Sequence, residues 1–380
     1  MAAARRWTQP GGPTSKRPRR PTSPDGILIV DKPAGMTSHA VVSRLRGLCG
    51  TRAVGHAGTL DPMATGVLIC GIGKGTKLLT YFSGADKEYL ATIRLGISTT
   101  TDDAEGEITA TRGASIDIIP TATDDAGPEI IAIPGAPVNV ISSERLNVAI
   151  ADLTGNIMQA PSSVSAIKVN GERAYKLARS GESIQLPPRP VTIHTFKVLT
   201  VVKNIITNTI NTVIAGSTRN LCSTPVIDIE ARISVSSGTY IRALARDLGE
   251  ALGTGGHLTA LRRTRIGPIT IDEAETLQAL EDQADAANSL SEPLGTVPLA
   301  TAASWLLPTR AVSAEQAIDL GFGRFITRSG QPGVVAALGP EGELVALLED
   351  VVRARGGPSE AKPVTVFQAA EPLAPAGDSQ

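Results

Sequence analysis

The chain has 380 residues, enough for one large domain with a small one or for two medium ones; 42% are hydrophobic but only 3% are aromatic, so Val, Ile, Leu and Ala must build the core. No apolar run approaches the roughly 20 residues a membrane span needs. The formal net charge of −1 excludes a globally basic nucleic-acid binder, yet the charge is uneven: acids crowd into Asp272 to Glu292 and the C-terminal stretch, while Arg242, Arg246, Arg262, Arg263 and Arg265 lie close together, which leaves RNA binding open.

Cys49, Cys70 and Cys222 form no Cys-x-x-Cys, and His39, His56, His194 and His257 show no ligand spacing, so neither a structural zinc nor a disulfide framework is expected. Residues 1–25 carry Arg5, Arg6, Lys16, Arg17, Arg19 and Arg20 among prolines and glycines, with Asp25 as the only acid. Without the apolar core of a signal peptide, this stretch reads as a disordered basic arm on a cytoplasmic protein. Gly26 to Asp31 reads as a buried strand that Lys32-Pro33-Ala34-Gly35 stops. Thr37 or Ser38 then caps a helix with Val41, Val42, Leu45 and Leu48 on one face, ended by Gly50.

Gly55 to Gly66 reads Gly-His-Ala-Gly-Thr-Leu-Asp-Pro-Met-Ala-Thr-Gly. Three glycines and a proline make a shaped loop, in which Pro62 biases Asp61 away from helical backbone. The apolar run Val67 to Gly73 anchors that loop to a sheet. Gly71 to Lys77 suggests a phosphate loop, but Leu68 stands where a Walker loop needs glycine and no Ser or Thr follows Lys74, so neither an ATP nor a dinucleotide site is expected.

Lys87 to Gly96 alternates as a strand. Asp102-Asp103-Ala104-Glu105-Gly106 is a carboxylate-rich turn without EF-hand spacing. Gly113 to Val140 looks like an enlarged loop, and Ser143 begins a helix with Leu146, Ile150 and Leu153 inward, stopped at Gly155. Lys203 to Pro225, rich in Asn and Thr, reads as an extended hairpin or insertion. Ile227, Ile229, Ala231, Ile233 and Val235 form the clearest strand of the chain. After Ser236-Ser237-Gly238-Thr239-Tyr240, a helix through Leu252 turns Leu244, Ala245, Leu248 and Leu252 inward. Asp272 to Ala287 reads as an acidic helix. In the C-terminal part, Ser313 caps a helix from Ala314 to Leu320, followed by short strands Val334 to Leu338 and Leu344 to Leu348.

Several blocks resemble, in order, the signatures of the TruB family of tRNA pseudouridine synthases. They are Asp31-Lys32-Pro33 with Gly35; Gly55, His56, Gly58, Leu60, Asp61, Pro62, Ala64, Thr65 and Gly66; Lys87-x-Tyr89; Asp102 to Gly106; Gln159 to Gly171, continued by Ala174 to Gly181; Gly238-Thr239-Tyr240-Ile241-Arg242; and Gly255-Gly256-His257-Leu258 with Leu261-Arg262-Arg263-Thr264. Val164 departs from the pattern, since many members carry an aromatic there.

The resemblance implies an α+β pseudouridine synthase fold over 26–296: a mixed, largely antiparallel sheet flanked by helices, with insertions at about 113–140 and 203–225. It also implies a small PUA-like β domain for RNA binding at 297–368, before a disordered tail at 369–380. The activity it implies is isomerisation of uridine 55 in the tRNA T-loop, by a monomer that needs no cofactor, metal or protein partner. Asp61 is then the essential carboxylate and Arg242 its partner, since a guanidinium keeps a carboxylate ionised and oriented. Tyr89 lies against the uracil ring, His56 takes the space the flipped base leaves, Tyr240 packs beneath the site and Leu261 contacts the base pocket. Lys32 supplies positive charge near the loop, and Arg262 and Arg263 are candidates for phosphate contact. Two rivals are a noncatalytic tRNA-binding or folding protein of the same fold, and a hydrolase that pairs Asp61 with a second acid.

Overall fold

The computed structural model describes residues 20–117, 139–162, 168–169, 172–173, 187–209, 221–286, 292–351 and 360–368. The expectations for the basic arm before residue 20, for Val164 and the Ala174 to Gly181 block, and for the tail after residue 368 fall outside them. The main strands are β1 (Gly26–Lys32), β2 (Val54–Ala57), β3 (Thr65–Ile72), β4 (Lys87–Leu95), β5 (Gly155–Gln159), β6 (Arg189–Thr209), β7 (Leu221–Val235) and β8 (Gly256–Ile266). The helices that matter for the site are α1 (Ser38–Leu48) and α2 (Ile241–Ala251).

The sheet runs Glu275–Thr276, β1, β3, β8, β4, β7, β6, β5, with β2 added beside β3. Its pairings are antiparallel except β3 with β8 and β1 with Glu275–Thr276, which is the mixed, largely antiparallel α+β arrangement expected. Alternation makes β7 what it is: Ile227, Ile229, Ala231, Ile233 and Val235 are all buried. In α2, Ile241, Leu244, Ala245 and Leu248 repeat at helical spacing and are buried. They join Tyr89, Ile93, Leu258 and Leu261 in one core. At the head of α2, Tyr240 offers no capping side chain, and Gln159 substitutes: its Oε1 accepts from Tyr240 N at 2.9 Å and its Nε2 donates to Tyr240 O at 3.1 Å.

Three segments differ from the reading of the sequence, and a fourth takes one of the two forms it offered. Ala114–Asp117 and Asn139–Ser142 pair as parallel strands, so the loop between them is shorter than 113–140, and 118–138 lies outside the described residues. Lys203 to Thr209 and Leu221 to Pro225 are the two arms of the extended hairpin that the sequence offered there: β6 and β7 pair from Ile193↔Val235 out to Thr209↔Leu221, with register shifts after Ile193 and Val198, and 210–220 lies outside the described residues. β8 was not foreseen as a strand, yet it sits mid-sheet. The acidic helix begins only at Leu277, after a single turn at Ile271–Glu273 capped by Thr270 and Glu273.

Beyond the main sheet, Val297–Pro298 pairs with Gly26 and Ile27 of β1. Thr309–Ala311, Val334–Leu338, Leu344–Val351, Glu360–Val366 and Ile326–Thr327 build a second, five-stranded sheet. Ile27, Ile29, Val67 and Ile69 of the first unit share one core with Ala336, Leu344, Leu347 and Phe367 of the second. At the other end of the main sheet, β5 covers β6 only across Arg189–Ile193. From Thr195 to Ile206 that side of β6 has no neighbouring strand among the described residues, and Leu199, Val202 and Ile205 are exposed.

Candidate active site

The loop between β2 and β3 carries Asp61 and is pinned from four sides. Ser38, at the start of α1, accepts from Leu60 N at 2.8 Å through its hydroxyl and donates to Leu60 O at 3.0 Å. Gly35 N donates to Pro62 O at 2.8 Å. Arg263 Nη2 donates to Gly58 O at 2.9 Å and its Nε to Val67 O at 2.7 Å. Lys32 Nζ donates to Met36 O at 2.6 Å, Pro33 O at 2.8 Å and Pro62 O at 3.2 Å. Burial lowers the Lys32 ammonium to about 8, against the opposing pull of Asp61. Its charge acts from behind the loop, through the backbone.

Arg242 meets Asp61 with two nitrogens, Nε to Oδ2 at 2.9 Å and Nη2 to Oδ1 at 3.2 Å. The residues are 181 apart in sequence. The third nitrogen, Nη1, donates to Thr101 O at 3.0 Å and lies 3.4 Å from Asp103 Oδ2. The other Asp103 oxygen accepts from Thr101 Oγ1 at 2.5 Å and from Glu105 N at 3.0 Å. The Arg242 side chain is only 6% exposed, whereas Asp61 is 34% exposed. A buried cation thus presents an accessible carboxylate in a fixed plane, with lone pairs left over toward solvent.

Asp61 and Arg242 line a cavity of about 250 Å³ together with Tyr89, Tyr240, Leu261 and Lys87. Tyr89 and Leu261 give it apolar walls suited to a flat ring, and Gly58 and Arg263 also border it. Lys87 Nζ donates to Ser83 O at 2.9 Å and Ala85 O at 2.6 Å, and burial lowers it to about 8. His56 is half-buried on β2 and is not among the lining residues; burial, then Arg263 and His39, lower its pKa, so the ring is neutral at pH 7. A larger cleft of about 890 Å³ opens at the far end of α1 among Arg20, Arg44, Arg46 and Arg52. Arg44 and Arg20 are paired there with Glu281 and Asp285, and nothing in that cleft presents an accessible carboxylate opposite an aromatic wall.

The cavity therefore gathers Asp61, Arg242, Tyr89, Tyr240 and Leu261, with Lys32 behind the loop and His56 outside the lining. Arg263 is 1% exposed and donates to the carbonyls of Gly58 in the loop and Val67 in β3, which favours a structural part over a phosphate contact. Arg262 forks Asp31 at 3.0 and 2.7 Å. Asp103, Lys87 and the structural part of Arg263 were missed from the sequence. The signal for Arg263 was apolar Leu258, Leu261 and Ile266 around the arginines, which marks a strand with buried charge. Among the described residues no second carboxylate lines the cavity with Asp61, and its direct partner is a cation, which disfavours the paired-acid hydrolase.

Residues 46–119 and 118–241 match the family described as TruB family pseudouridylate synthase (N terminal domain). Residues 242–301 match the tRNA pseudouridylate synthase B C-terminal domain, and 307–368 match tRNA Pseudouridine synthase II, C terminal. The tRNA pseudouridine synthase B of Arthrobacter sp. (strain FB24) is 48% identical over 351 residues, covering 90% of this chain and 96% of that relative. The protein of the same name from Streptomyces coelicolor is 45% identical over 335 residues, covering 87% and 94%. Among solved structures, an H/ACA RNP bound to a substrate RNA containing 2′-deoxyuridine superposes with a TM-score of 0.57 at 21% identity, covering 91% of this chain and 85% of that one. The archaeal box H/ACA sRNP Nop10-Cbf5 complex gives 0.55 at 22%, covering 91% and 86%; both likenesses concern the fold. Matched over nearly its whole length by family and relatives alike, the chain belongs to the TruB family of pseudouridylate synthases.

Proposed function

We propose that this protein isomerises uridine to pseudouridine at position 55 in the T-loop of tRNA, with Asp61 as the reacting carboxylate. The observation that carries the reading is the Asp61–Arg242 fork at the wall of a cavity lined by Tyr89 and Leu261, in a chain of this family. The reaction breaks the bond between ribose C1′ and N1, turns the base, and joins C1′ to C5. The C5 hydrogen leaves as a proton and N1 gains one, so the change is redox-neutral and needs no nucleotide cofactor.

The target uridine leaves the folded loop, at a cost of a few kcal/mol that stacking and phosphate contacts offset. Tyr89 stacks on the extruded ring, Leu261 closes the opposite apolar wall, and Tyr240 lies below. His56, neutral at pH 7, fills the gap left in the RNA without serving as a base. Arg242 keeps Asp61 ionised and holds it in one orientation. The noncatalytic tRNA-binding alternative gives no reason for so restrained an acid. The protein works on tRNA as a cytoplasmic monomer, and no helix among the described residues is long and apolar enough to cross a membrane.

Tritium release from tRNA labelled at C5 of uridine tests this. Native protein releases label from position 55 alone, Asp61→Asn releases none, and Arg242→Ala loses most turnover while keeping tRNA affinity. Undiminished release by Asp61→Asn removes that residue from the chemistry, and a loss of affinity alone makes Arg242 a phosphate contact.

A further inference from the structure

Arg246 follows Arg242 by one turn of α2, so the two guanidinium groups leave the helix on the same side. The acids they meet are consecutive. Arg242 Nη1 is 3.4 Å from Asp103 Oδ2, and Arg246 Nη1 is 3.3 Å from Asp102 Oδ2. Arg246 Nη2 also donates to Ala160 O at 2.8 Å, just past the end of β5. Both Nε and Nη2 donate to Asp247 Oδ1, at 2.9 and 2.7 Å. Since Gln159 exchanges two hydrogen bonds with the Tyr240 backbone, the end of β5 is tied to α2 on either side of Arg242.

Asp102 itself has φ 59°, a left-handed backbone uncommon for a residue with a side chain, though Asp tolerates it better than most. Its carbonyl accepts from Leu258 N at 3.0 Å, and its carboxylate has Arg246. Burial pushes that carboxyl up, and Ser162, then Arg246 and Arg242, pull it back toward the charged form. Relaxation of Asp102 would move both of its neighbours that hold Arg242 Nη1: Asp103 directly, and the Thr101 carbonyl on the other side.

We propose that Arg246 is a positioning residue for the isomerisation. Through Asp102 it keeps the 101–103 turn against Arg242, and through Ala160 it makes the seating of the β5 end felt at Asp61. The proposal rests on the reading of Asp61 as the reacting carboxylate, and its test separates the two.

The experiment is single-turnover pseudouridine formation with saturating enzyme in excess over tRNA, with tRNA Kd and thermal midpoint measured alongside. The proteins are native, Asp61→Asn, Arg246→Met, Arg246→Lys, Asp102→Asn and the Arg246→Met/Asp102→Asn pair. Arg246→Met and Asp102→Asn each slow the single-turnover step on the order of 10- to 100-fold, the scale of a displaced reacting group, with Kd unchanged. The double variant is no slower than the slower single one, because both break one link. Arg246→Lys, which keeps one bond to Asp102, recovers part of the rate; should the methionine variant not fold, a reduced rate with a retained midpoint in the lysine variant carries the test. A native rate for the Arg246 variants beside an inactive Asp61→Asn overturns the proposal and leaves the site reading intact. Multiplying losses in the double variant, or a loss confined to Kd or to the thermal midpoint, also overturns it. A fully active Asp61→Asn removes the ground for both readings.

Discussion

Lys32 shows how one buried side chain links loop geometry to pH. Its residue surface is fully buried, and its three N–H groups meet three carbonyls, of which Pro62 O follows directly on Asp61. Burial lowers its pKa from 10.5 to about 8. In the unfolded chain the group keeps its proton up to 10.5, so between about 8 and 10.5 the folded protein binds fewer protons and this group's contribution to stability rises with pH. Over the same window the neutral amine offers only two donors for three carbonyls, and the loop loses a pin. The single-turnover rate is therefore expected to fall above about pH 8 while thermal stability does not. Lys32→Met, compared across that range, should be slower at pH 7 and lack the part of the alkaline fall that belongs to Lys32, leaving that of Lys87.

At the scale of elements, the meeting of β3 and β8 holds the loop in place. Gly66 has φ 100°, and a Cβ there would overlap the Arg263 carbonyl, so the two strands come together only over a glycine. Gly66→Ala should cost about 2–4 kcal/mol in urea unfolding through backbone strain and the displaced strand, and should slow the reaction by pulling Arg263 from Gly58 O. Elements with a clear period or punctuation are legible in the sequence: β7 by its alternation, α1 by Thr37, whose side chain accepts from Ala40 N, and the Asp61 loop by its glycines and Pro62. β8 was not, because Arg262 and Arg263 read as candidates for phosphate contact. Arg265 donates to nearby Gly267 O, but the charges of Arg262 and Arg263 are met by Asp31 and by the carbonyls of Gly58 and Val67, partners that exist only once distant segments meet. Asp103 was hidden for the same reason, since a carboxylate-rich turn does not announce which arginine it will face. Asp61 and Arg242 could be paired from the sequence only because both lay in motifs resembling one family.

For the whole molecule, the shared core of the two sheets decides how it unfolds. Phe367, 2% exposed, packs with Ile27, Ile29, Val67 and Ile69 across the boundary, and Lys77 Nζ reaches over it to Val366 O at 2.7 Å. Phe367→Ala should cost about 3–5 kcal/mol and lower one common calorimetric transition; a separate early transition for the C-terminal unit would show that the core does not couple them. The long rim of β6 beyond Ile193 has a different consequence. Backbone groups with no strand partner among the described residues, beside apolar Leu199, Val202 and Ile205, are a template for fibre-like zippering between molecules, and Lys197 and Lys203, both exposed on the same strand, act as electrostatic gatekeepers that make two such rims repel.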